Sequence, residues 1–206
     1  MRRLLLLGGV VAPTLYAVAD AWAGLSWEGY SFRDQTISEL GATGAPPSGL
    51  FSVLLVVVYL AMVAFGVGVW KSAAGRPRLR TAGGLLVGFG ILALTVGQFA
   101  AMRPRGAEQG MSGALHLAEG AAAMVLLLSA MGFAAAGTGR RFALYTVATI
   151  AVMLAFGGWS AMEIPRVEAG LPTPWVGVKE RIYWYSYQLW FLVLALKLRR
   201  EPDGTG

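Results

Sequence analysis

The sequence predicts an all-α polytopic membrane protein with six transmembrane helices in one bundle. Three observations predict it. Six apolar runs, at 4–22, 50–70, 83–102, 113–133, 142–162 and 182–198, each approach the ~20 residues that a helix needs to cross a ~30 Å hydrocarbon layer. The chain is 56% hydrophobic and only 14% charged. The charges gather in the connections, basic on one side and acidic on the other. Backbone groups inside lipid must be paired within their own segment, so runs of this length read as helices.

The first run opens on Arg2-Arg3 and carries Pro13, which removes one backbone donor and bends a helix. Pro13, Tyr16 and Asp20 share a face and make a polar stripe toward its outer end. The arginines, the apolar core and Ala21-Trp22-Ala23 also resemble a cleavable signal peptide. The length of the core, with Asp20 and Trp22 beside the would-be cleavage point, favours a retained span. Residues 23–49 form the longest connection, an ordered outer loop rich in aromatics, charges and aliphatics. A short interfacial helix capped at Ser31 or Asp34 and stopped at Gly41 is expected within it, with Ile37 and Leu40 docked on the bundle. Pro46-Pro47 stiffens the return into the second run. That run is uncharged. The 71–80 connection is an inner turn, and the third run has Gly84 and Gly88 at the small-xxx-small spacing that lets helices approach closely. The fourth run holds His116 and Glu119, three apart and so on one face. The fifth carries Gly157-Gly158. The sixth opens on Glu180-Arg181 and the dense aromatic stretch Tyr183, Trp184, Tyr185 and Tyr187.

The charges orient the bundle. Most of the 17 Lys and Arg fall on one side (Arg2, Arg3, Lys71, Arg76, Arg78, Arg80, Arg140, Arg141, Lys197, Arg199 and Arg200). Short basic connections stay in the cytoplasm, so both termini are placed there, in a cell membrane such as the bacterial inner membrane. Of the 11 acids only Glu201 and Asp203 fall on that side. The net charge of +6 is explained by topology and anionic inner-leaflet lipid rather than nucleic acid. The absence of cysteine excludes disulfides, thiolate metal sites and cysteine nucleophiles. The whole chain, 1–206, reads as a single domain.

Ionisable residues inside a span are costly unless they face protein or water, which singles out His116 and Glu119. His-x-x-Glu supplies only two metal ligands, so no metal and no other cofactor is assigned. Arg181 opposes the dipole of the helix it opens, so it answers either an external anion or the acids Asp20, Asp34, Glu39 and Glu119. Arg33 and Arg103 are expected to share that task. The leading expectation is an outward-facing polar pocket lined by Asp34, Glu39, His116, Glu119 and Arg181 that binds a lipid or lipid-linked small molecule, with membrane lipids as the partners. A second is an interfacial or intramembrane hydrolase or transferase with His116 as general base, oriented by Asp34 or Glu119. A third is a structural or partner-binding membrane subunit. Transport fits less well, because the polar residues stop within the outer third.

Tyr30-Ser31 through Asp34, then Thr36-Ile37-Ser38-Glu39-Leu40-Gly41-Ala42 and the Pro46 region, resemble the first outer loop of a prokaryotic six-span domain-of-unknown-function family. The resemblance continues at His116 and at Glu180-Arg181 and covers essentially the whole chain. It implies a fold and no reaction. A more distant similarity links Ile37-Ser38-Glu39-Leu40-Gly41 and Pro46-Pro47 to the eukaryotic DRAM-like membrane proteins, with Glu39 where that group has aspartate. That group is associated with lipid handling and autophagy, so the similarity implies a lipid context.

Overall fold

The computed structural model describes residues 1–201, and among them the only regular structure is helical. In chain order the helices are α1 (Arg2–Leu5), α2 (Gly8–Ser26), α3 (Ile37–Leu40), α4 (Ser48–Lys71), α5 (Pro77–Leu92), α6 (Gly110–Thr138), α7 (Arg140–Ala161), α8 (Ile164–Glu168) and α9 (Val176–Arg200). A π turn, Ala93–Gly97, continues α5. The α1–α2 junction is a tight turn whose amides stay bonded, Gly9 N–H to Leu6 O and Val10 N–H to Leu7 O, so Arg2–Ser26 runs as one rod.

Among the described residues, five stretches are long and apolar enough to cross a membrane: Arg2–Ser26, Ser48–Lys71, Pro77–Gly97, Gly110–Thr138 and Arg140–Glu168. They mark the chain as a membrane protein. The sixth expected run lies within α9, which has the length at 25 residues. Its hydropathy is diluted by Lys179, Glu180 and Arg181 at one end and Lys197, Arg199 and Arg200 at the other. The outward surface of the bundle is aliphatic, with Leu60, Val125, Leu144 and Val147 all exposed.

Helix α9 packs mainly on α7 and α2 and carries much of the buried aromatic core. Trp190, Tyr187 and Phe191 are fully buried on it, and Phe191 meets Phe65 of α4 and Phe89 of α5 with ring centroids 5.6 and 6.2 Å apart. Trp190 donates its indole N–H to Thr146 Oγ1 at 2.9 Å, pinning α7 to α9. Between apolar helices in lipid, close van der Waals packing and such hydrogen bonds replace the hydrophobic drive. One of the close backbone approaches in the bundle joins α4 to α5. A Cβ on Gly83 would lie 2.5 Å from the Trp70 nitrogen, and one on Gly90 would lie 2.8 Å from a Val63 methyl. The contact therefore runs through Gly83 and Gly90, a heptad apart. The expected pair differs: Gly84 faces the Trp70 ring, and a Cβ on Gly88 would reach only a Leu126 methyl at 4.0 Å.

The connections divide between two ends. At one end Arg76 pairs with Glu201 at 2.6 Å. At the other, called the loop end below, residues 27–47, 98–109 and 162–175 knit together. Thr43 N–H bonds to Met102 O and Gly106 N–H to Val167 O, at 3.0 and 3.1 Å.

Candidate functional site

The loop end is organised by α3. Its N-cap is Thr36, not Ser31 or Asp34. Thr36 Oγ1 accepts from the Glu39 N–H at 3.3 Å, and Glu39 Oε2 accepts from the Thr36 N–H at 2.8 Å, a reciprocal capping box. Ser31 instead closes the preceding turn by accepting from Asp34 N–H at 3.1 Å. Gly41 ends the helix as expected. Ile37 and Leu40 are buried against the bundle.

Three charged contacts hold this loop down. Arg105 grips Glu39 with both arms, Nε to Oε1 and Nη2 to Oε2, each 2.8 Å. It also donates to Thr173 Oγ1 at 2.9 Å and Leu171 O at 3.1 Å, so one guanidinium ties two loops together. Burial pushes the Glu39 carboxyl up, but the hydrogen bonds and charge of Arg105, with those of Thr36, outweigh it and hold the group below its ordinary value. Arg181 makes a second fork, to Asp20 at 3.0 and 2.7 Å, and donates to Tyr30 Oη at 2.8 Å and Phe32 O at 2.9 Å. Tyr185 completes that set by donating to Asp20 Oδ2 at 2.7 Å. The third contact is Glu180, which is buried and accepts from Ile37 N–H and from Ser38 Oγ–H. Gly177 lets the loop sit this close, because a Cβ there would collide with the carbonyl oxygens of Gln35 and Phe32.

Asp34 lies at the rim. It takes Arg33 from its own chain neighbour at 2.8 Å and accepts from Trp175 N–H at 3.0 Å. The Arg33 hydrogen bonds, followed by the Trp175 N–H, lower its carboxyl below the ordinary value. Trp175 starts α9 in the left-handed region with φ 69°, a conformation that L residues rarely adopt, so this N–H is aimed at Asp34 by a strained residue.

Beneath α3 lies a cavity of about 480 Å³. Ile37 and Ser38 line it from the loop, and α6 and α7 line it from the side. These two helices share the Gly139 turn, but α6 packs mainly on α5 and α7 on α9. Their loop-end halves contribute facing residues such as His116, Glu119 and Gly120 on one side and Gly157 and Ser160 on the other. Leu117, Gly120 and Ala121 line the cavity and are exposed, so the cavity is open rather than sealed along this stretch of α6. The π turn supplies Ala93 and Gly97. Such turns recur at functional sites because they displace the helix backbone by one residue.

A family model described as "Protein of unknown function (DUF998)" matches residues 10–197. The chain belongs to the DUF998 family. The match runs from α2 into the last turn of α9 and so contains both the loop contacts and the cavity of this DUF998 protein. No curated protein and no solved structure matches the chain.

Of the five residues expected to share a pocket in this DUF998 chain, two do. His116 and Glu119 line the cavity. Asp34, Glu39 and Arg181 are engaged in fastening the loop and do not line it. His116 and Glu119 do not pair with each other either, since His116 Nδ1 meets Ala100 O at 2.9 Å. Of the two arginines expected to share with Arg181 the task of answering these acids, Arg33 does so and Arg103 does not. Arg33 turns to Asp34, and Arg103 donates to Glu108 O at 3.1 Å. The residues that sequence reasoning passed over are Arg105, Glu180 as a loop anchor, and Tyr59 as cavity lining. Thr36-x-x-Glu39 is a capping-box signature and was available in the sequence. Arg105 carried no local signal. Among the described residues, no group of three His, Asp or Glu side chains is placed to hold a metal ion.

Proposed function

We propose that this protein is a six-span protein of the cell membrane, with both termini in the cytoplasm, whose loop-end cavity binds a lipid or lipid-linked small molecule. Orientation rests on the basic residues concentrated at the end opposite the loops. That end would face the cytoplasm and the cavity would open outward. Helix α9 would be the sixth span, its charged ends lying at the two interfaces and its aromatics inside.

The observation that carries the reading is the open stretch of the cavity at Leu117, Gly120 and Ala121. A volume of about 480 Å³ lies within the ~300–1,000 Å³ range of small-molecule sites. The opening beside Leu117, Gly120 and Ala121 would give an acyl chain a sideways route, with His116 and Glu119 lining the same cavity. A Cβ on Gly120 would meet nothing within 4 Å, so Gly120→Trp is the variant chosen to place a bulky ring at the opening. Purified protein in lipid nanodiscs is expected to retain a defined lipid by native mass spectrometry, and Gly120→Trp to lose it. Equal retention by both proteins would refute the reading.

A second reading, an interfacial hydrolase or transferase, draws support from His116. The Ala100 carbonyl held at Nδ1 fixes the ring and leaves Nε2 as the free nitrogen. It predicts turnover of the retained lipid that His116→Ala abolishes while binding persists.

A further inference from the structure

The polar lining of the cavity has one sign. Among the described residues that line it there are three glutamates, Glu119, Glu168 and Glu180, and neither a lysine nor an arginine. This is unexpected at an end of the molecule rich in arginine, and it arises because Arg105 and Arg181 are turned to the loop acids. A phosphate or carboxylate placed here would meet carboxylates and no counter-charge.

Glu119 differs from the other buried or half-buried acids nearby. Asp20 holds Arg181, Glu39 holds Arg105, and Glu163 holds Lys179 at 3.1 Å. Glu180 accepts from Ile37 N–H and Ser38. Glu119 has no hydrogen bond and no ion pair with any described residue, although it sits on α6 in a segment apolar enough to cross a membrane. A Cβ on Gly97 would lie 3.3 Å from Glu119 Oε1, so the glycine of the π turn leaves that carboxylate its space. An uncompensated carboxylate in such a place is costly, and a cation that enters with a ligand removes the cost.

The surrounding wall is aromatic. Tyr59, Tyr183, Trp184 and Tyr187 line the same cavity. The Tyr183, Trp184 and Tyr187 rings stand in mutual contact, with centroids 5.3 to 5.8 Å apart. Tyr187 is 1% exposed and its hydroxyl has no hydrogen-bond partner. Tyrosine and tryptophan faces attract ammonium groups through the ring quadrupole, and aromatic cages are the recurrent receptor for quaternary ammonium. Resting on the cavity reading above, we propose that the ligand is an amphiphile with an ammonium head, seated against Glu119 and the Tyr59–Tyr183–Tyr187 wall with its alkyl chain toward Leu117 and Gly120. Two sources share this chemistry, an aminolipid headgroup and a free amphipathic amine.

The test compares ligands of matched chain length on the intact protein in nanodiscs by isothermal titration calorimetry: decyltrimethylammonium, decanol and decanoate, with lysophosphatidylethanolamine as the lipid arm. At least one ammonium ligand should bind about tenfold or more tighter than decanol and decanoate, a preference in keeping with a desolvated cation–π site plus a carboxylate. Glu119→Gln should reduce that ligand to the decanol level and leave decanol unchanged. Binding of lysophosphatidylethanolamine alone identifies the lipid source, and binding of decyltrimethylammonium alone the free amine; either supports the proposal. Equal or tighter binding of decanol or decanoate, still blocked by Gly120→Trp, overturns the ammonium head and leaves the cavity reading intact. Loss of nothing in Gly120→Trp overturns both. The matched-ligand comparison on the unaltered protein needs no variant, so it decides the matter even if Glu119→Gln does not fold.

Discussion

Replacing Arg181 with alanine should be among the most damaging single changes at the loop end. The guanidinium side chain is 13% exposed and its Asp20 partner 4%, so the substitution leaves a carboxylate with Tyr185 as its remaining hydrogen-bond donor in a poorly solvated place. Breaking a buried pair from one side costs about 3–5 kcal/mol. The carbonyls of Phe32 and Gln35 lose a donor as well, and the Phe32 ring loses the cation 4.8 Å from its centre. These terms overlap, so about 4 kcal/mol is the working figure. Asp20→Ala should cost nearly as much by stranding the arginine. The double variant should cost far less than the sum, because the uncompensated charge is gone, with a coupling of about 2–3 kcal/mol. Unfolding by SDS titration, followed by tryptophan fluorescence in mixed micelles, measures all three variants. Single costs below about 1 kcal/mol with additive behaviour would place the pair in the range of solvated surface ion pairs and refute the argument.

Three further outcomes follow from the same contacts. Because the folded-state value of Glu39 is depressed, its stabilising contribution is complete above its ordinary value of 4.5 and is lost as pH falls through the folded value. Cleavage within 27–47 by an acid-active protease should therefore rise as pH drops below that range, and Glu39→Gln should flatten the dependence. Gly177→Ala should lift the loop at a cost of about 1–3 kcal/mol, the usual range for overpacking, seen as faster amide exchange across Phe32 to Gln35; unchanged exchange would deny the close contact. Reporter fusions at Gly75 and Gly139 should behave as cytoplasmic and those at Gly106 and Gly170 as external, and the reverse pattern would invert the proposed orientation.

Much of the helical layout was legible because span length and apolar composition are local properties. The boundaries of α4 and α7 fall within a few residues of the apolar runs that announce them. Helix α9 was less legible by hydropathy, since residues that fasten the loop and pack the core replace aliphatics there. The short helix at Ile37 was anticipated, but its cap lies two to five residues later than Ser31 or Asp34. Ser31 and Asp34 satisfy turn amides nearby, and Thr36 is distinguished only by Glu39 three residues on. Pairing was the least legible part. Glu39 finds Arg105, 66 residues away, and Asp20 finds Arg181, 161 residues away. Which arginine reaches which acid depends on how helices rotate and lean, and Gly83 and Gly90 set that for one helix pair only. The cavity was hidden for the same reason, as it exists where α6 and α7 lean on different neighbours.

The Asp20–Arg181 fork has a consequence for the order in which the protein is made. Asp20 emerges on the second helix, while its counter-ion arrives on the ninth, after α4 through α7 have been synthesised. Until then Asp20 sits at the end of an apolar segment without its cation, and residues 30–40 lack the carboxylate of Glu180 and the surface of α9 on which they rest. Docking of the loop is thus a late event that reports arrival of the last described helix. A nascent chain halted before Val176 would display an acidic, aromatic segment lacking its α9 seat at the membrane surface, a ready mark for the proteases that clear unfinished membrane proteins.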